Sequence, residues 1–82
     1  MDQFSLVKIT DRAPESSLSI SEQYIYTLIG EMGGFLLVAD IYNESILVHS
    51  FTTSAIQRLL ELGLIEIASL DEGISLVRPE SQ

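Results

Sequence analysis

The feature that most constrains this chain is a change of hydrophobic period at Gly63. Before it, Ala55, Ile56, Leu59, Leu60 and Leu62 recur at helical spacing and form one broad apolar stripe. After it the period becomes two: Leu64-Ile65-Glu66-Ile67-Ala68-Ser69-Leu70, then Asp71-Glu72-Gly73, then Ile74-Ser75-Leu76-Val77. Gly63 suits the left-handed position just past a helix, with Leu64 folding back on the last turn. The pattern predicts a helix over 52–62, capped by Ser50 or Thr52, and a hairpin over 64–77 with Asp71, Glu72 and Gly73 at its tip. A helix that feeds a hairpin belongs to an α+β fold.

Upstream, the clearest element begins at Ser19. Ser19 and Glu22 have capping-box spacing, in which the hydroxyl accepts from the Glu22 amide and the carboxylate reaches back to the Ser19 amide. Tyr24, Ile25, Leu28, Ile29 and Met32 then share a helical face, and Gly33-Gly34 stops the helix, which is expected over 19–32. Phe35 to Val38 reads as a short strand, followed by a second helix from Ala39 with Ile41 and Tyr42 turned inward. The run Ile46-Leu47-Val48 can continue that helix or leave it, and the expectation is a helix over 39–47. At the start, "FSLVKI" reads as a weak strand with Phe4 and Leu6 on one side and Val7 and Ile9 on the other; "TDRAPESS" is a connection. Residues 1–18 are thus an N-terminal strand and connection, 19–79 the main domain and 80–82 a tail.

Three helices followed by a hairpin is the element order of a winged helix. The stretch "AIQRLLELGLIE" leading into a hairpin resembles the recognition helix and wing entry of MarR-like winged-helix regulators. The resemblance spans residues 19 to 79 as an order of elements and 55 to 66 as a motif. It implies a single α+β winged-helix domain, three helices with a C-terminal β-hairpin wing. It also implies that helix 50–62 presents a recognition face. Winged helices serve both as DNA readers and as protein-docking modules, so the fold does not fix the function.

Enzymatic machinery is hard to find in the sequence. His49 is the only histidine and there is no cysteine, so a metal site would need carboxylates alone. Asp40, Asn43 and Glu44 do not match a calcium loop, and "HSFTTS" supplies hydroxyls without a nucleophile elbow. His49 reads as a boundary residue at a helix entrance. Gly33-Gly34 lacks the lysine of a phosphate loop. The expectation is a non-enzyme with no cofactor, no metal and no small-molecule substrate. The most apolar window, Tyr24 to Ile41, is broken by Glu31, Gly33, Gly34 and Asp40, which predicts core and not a membrane span. With neither a basic nor an apolar segment behind Met1-Asp2-Gln3, the expected location is cytoplasmic.

Charge then weighs the two macromolecular readings. Burying the apolar stripe of helix 50–62 leaves Thr53, Ser54, Gln57, Arg58 and Glu61 outward, and the first four are side chains that base edges and phosphates accept. This favours DNA. Against it, the 82 residues carry only four cations, Lys8, Arg12, Arg58 and Arg78, and a net charge of −8. Specific DNA binders commonly make about 6–10 phosphate contacts. A homodimer would double the cations and still set two Asp71-Glu72 turns beside the phosphates. The expectation is a small acidic regulatory module that binds a protein through Thr53, Ser54, Gln57 and Arg58 or through the tip Asp71-Glu72-Gly73. One form of it is an inhibitor that occupies a partner's nucleic-acid-binding surface. The alternative is a DNA-binding transcriptional regulator with helix 50–62 as its recognition helix.

Overall fold

The computed structural model describes residues 4–14 and 17–68. Its elements are β1 (Leu6–Ile9), α1 (Ile20–Glu31), β2 (Phe35–Leu37), α2 (Val38–Glu44), α3 (His49–Glu61) and β3 (Ile65–Ala68). The fold is α+β: three helices pack on a three-stranded antiparallel sheet of order β2-β1-β3.

Local rules account for α1. Both arms of the capping box are present: the Glu22 amide donates to Ser19 Oγ at 3.1 Å and the Ser19 amide donates to Glu22 Oε1 at 3.1 Å. Ile25 and Ile29 are buried on the inner face. At the other end the Gly34 amide donates to Ile29 O (2.9 Å) and the Gly33 amide to Gly30 O (3.2 Å), the paired reversal that ends a helix at a left-handed residue. The same reversal ends α3. There Leu64 N donates to Leu59 O and Gly63 N to Leu60 O, with Gly63 at φ 75°.

The second and third helices depart from expectation at the connection between them. α2 ends at Glu44, short of residue 47, because the amides that would extend it are taken by side chains. The Ile46 amide donates to the Tyr24 hydroxyl at 3.2 Å and the Leu47 amide to Ser45 Oγ at 3.0 Å. α3 begins at His49 and not at 52, with extended Val48 as its cap residue and no side-chain cap. Neither Ser50 nor Thr52 caps it. Thr52 lies inside the helix, fully buried, and its hydroxyl is hydrogen-bonded to Ser45 Oγ at 2.9 Å.

The strand order also differs from a C-terminal hairpin. The expected strand after Gly63 is present as β3, but its partner is the N-terminal strand β1, with Leu6 opposite Ala68 and Ile9 opposite Ile65. β1 is therefore the central strand, with β2 on its other side in the register Leu6–Leu37, Val7–Leu36 and Lys8–Phe35. The tip Asp71-Glu72-Gly73 and the expected strand 74–77 lie outside the described residues. Val7, Leu36 and Ile65 turn to the core face, and the opposite face carries the Lys8–Glu66 ion pair at 3.5 Å. Val7, Ile25, Ile29, Ile41, Ile56 and Leu59 have no exposed surface. Each such side chain contributes roughly 1.5–3 kcal/mol of burial.

Candidate interaction surface

The four outward residues expected on α3 are all on its surface, but they do not form one patch. At about 100° per residue, Thr53 and Arg58 point about 140° apart around the helix. Thr53 and Gln57 face the α2 side. There they line an open cleft of about 570 Å³ with Val38, Tyr42, Asn43 and His49. Thr53 is half-buried and its hydroxyl is already hydrogen-bonded to that of Tyr42. The Tyr42 ring is stacked on His49 with centroids 4.5 Å apart and planes 16° from parallel. His49 is therefore a helix-entrance residue resting on a neighbouring ring. Ser54 and Gln57 are exposed. Arg58 is exposed too, and its Nη1 lies 3.6 Å from Glu61 Oε1 one turn on.

A second feature was not singled out in the sequence. The α2–α3 connection and first turn of α3 expose three large apolar side chains: Ile46 at 85%, Val48 at 61% and Phe51 at 58%. Isolated apolar residues on a surface need no explanation, but three within six positions do. The backbone that carries them is held from several sides. Tyr24 Oη, on α1, accepts from Ile46 N and donates to Glu44 O at 3.4 Å. Ser45 Oγ accepts from Leu47 N and bonds Thr52 Oγ1 from within the core. Thr52 N donates to Val48 O at 3.0 Å. Ile20, also exposed, lies one turn before Tyr24 on the α1 stripe that reaches this connection. The result is an exposed apolar stretch on a hydrogen-bonded backbone. The sequence did carry a signal for it. "SILVHSF" has bulky apolar residues with no helical period to bury them.

The charged side chains of α1, α2 and the connection are all acidic: Glu22, Glu31, Asp40 and Glu44. Among the described residues no group of three or more histidines and carboxylates is placed to hold a metal ion, and no helix is long and apolar enough to cross a membrane. Comparison with family models, with curated proteins and with solved structures finds no match to this chain.

Proposed function

We propose that this chain is a small non-catalytic interaction module of winged-helix type, regulatory in role, which docks on a partner protein through the start of α3. The observation that carries this reading is the hydrogen-bonded α2–α3 connection with Ile46, Val48 and Phe51 exposed. Apolar side chains on a pre-ordered backbone bind without the entropic cost of ordering a loop, which is how a small surface gains affinity. The order α1, β2, α2, α3, β3 supports the winged-helix comparison, while the central place of β1 sets this sheet apart from a simple hairpin wing. The module acts in the cytoplasm in this reading, in keeping with a chain that has no cysteine.

Direct DNA binding is the second reading, favoured by exposed Ser54, Gln57 and Arg58 on α3. It fares worse electrostatically. Arg58 already faces Glu61, Thr53 is engaged by Tyr42, and an 82-residue chain of net charge −8 repels phosphates. Two measurements decide between them. The unmodified protein titrated with random duplex at low ionic strength should show no salt-sensitive binding; tight binding there overturns the protein reading. Affinity capture should recover a partner that is lost in Ile46→Ser/Phe51→Ser while the circular dichroism of the variant is unchanged.

A further inference from the structure

We propose that the Ile46–Val48–Phe51 surface takes a lysine- or arginine-rich protein segment that inserts apolar side chains against it. This rests on the docking reading above and adds the chemistry of the partner. The acidic flank of this apolar stretch sets the sign of the partner. The apolar side chains of the stretch come from the α2–α3 connection and the first turn of α3; α1, α2 and that connection hold Glu22, Glu31, Asp40 and Glu44 and no lysine or arginine, while α3 also carries Arg58, which faces Glu61. Asp40 and Glu44 lie one turn apart on one face of α2, and Glu44 is two residues from Ile46. Among the described cations, Lys8 and Arg58 each stand beside a glutamate, and Arg12 lies against Gly63 at the end of α3 opposite Phe51.

The same charge argues against a second copy as the occupant. Two chains of net charge −8 would bring their acidic α2 faces together, and like charges juxtaposed across an interface disfavour that pairing. A basic segment meets the opposite situation: apolar anchors fill the centre, and rim carboxylates steer its approach.

The test uses two synthetic amphipathic peptides of one spacing, one of leucine and lysine and one of leucine and glutamate, titrated into the isotope-labelled full chain. The lysine peptide should shift the signals of Ile46, Val48 and Phe51, and its Kd should rise with added salt. Asp40→Lys/Glu44→Lys should raise that Kd about five- to tenfold, the scale of two reversed rim charges. Ile46→Ser/Phe51→Ser should abolish the shifts; both positions are exposed, so the fold survives and dichroism checks it. The glutamate peptide should leave the signals unmoved.

Equal binding of both peptides, no binding of the lysine peptide, or shifts confined to other acidic regions each overturn the proposal. Failure of the wider reading looks different. A captured partner that is sensitive to Ile46→Ser/Phe51→Ser but indifferent to Asp40→Lys/Glu44→Lys keeps the docking surface and rejects the basic partner. A partner indifferent to both pairs of substitutions rejects the surface itself.

Discussion

Thr52 is the one buried polar side chain among the described residues, and it ties the core to the surface connection above it. Replacing it with valine keeps its volume and removes the hydroxyl that meets Ser45. Thr52→Val should cost about 1 kcal/mol, seen as a lower urea midpoint at unchanged slope. An unaltered midpoint would mean that the Ser45–Thr52 bond contributes nothing net. Tyr24 plays the matching part from the other side. Tyr24→Phe keeps the ring and deletes the acceptor for the Ile46 amide. Amide exchange at Ile46 should therefore quicken much more than exchange in α1, because only a local opening is made easier. Uniform acceleration through α1 would show a global loss instead. The stacked Tyr42–His49 pair is coupled more weakly. A double-mutant cycle with Tyr42→Leu and His49→Ala should give about 0.5 kcal/mol, near the lower end for ring pairs because His49 is exposed.

At the scale of elements, the features that could be read in advance are those whose determinants are neighbours in the chain. The two residues of the capping box, Ser19 and Glu22, are three positions apart, and its helix appears where it was expected. Ser19→Ala should cost about 1 kcal/mol in denaturant melts. The ends of α2 and α3 that face each other were misplaced because their determinants are distant. Tyr24 lies 20 to 22 positions from the groups it bonds at the connection, and Ser45 meets Thr52 across seven. No window of periodicity contains such pairs. Sheet partners are hidden for the same reason. "FSLVKI" and "LIEIASL" each read as strands, but nothing local says that they belong together. For the surface, Ser54, Gln57 and Arg58 were legible as the outer side of a helix. Ile46, Val48 and Phe51 carried only the weaker signal of bulky residues without a helical period, because an apolar residue is first assigned to the core and only tertiary packing shows it left outside.

For the whole molecule, β1 is the element on which the sheet depends. Besides its ladder with β2 and β3, it is tied at both ends: Val38 N donates to Ser5 O at 2.9 Å, and Thr10 N donates to Leu64 O at 3.0 Å. Val7, at its middle, is fully buried between Leu36 and Ile67. Val7→Ala should lower stability by about 2 kcal/mol, and the loss should appear in one transition common to helical dichroism and the signals of the partly buried Tyr24, Tyr26 and Tyr42. Two separated transitions would show that the helices hold together without the strand.

That clasp has a consequence for the order of events during synthesis. Leu6 leaves the ribosome 62 residues ahead of Ala68, yet Ala68 is one of its two neighbours. Until the chain has emerged that far, a nascent molecule can cap α1 and begin to stack its helices, but Val7 is flanked on one side only. Contacts so far apart along the chain close slowly compared with those of a helical bundle. During that interval the unclaimed edge of β1 is open to any extended segment nearby, so the step that completes the sheet is also the one most exposed to mispairing.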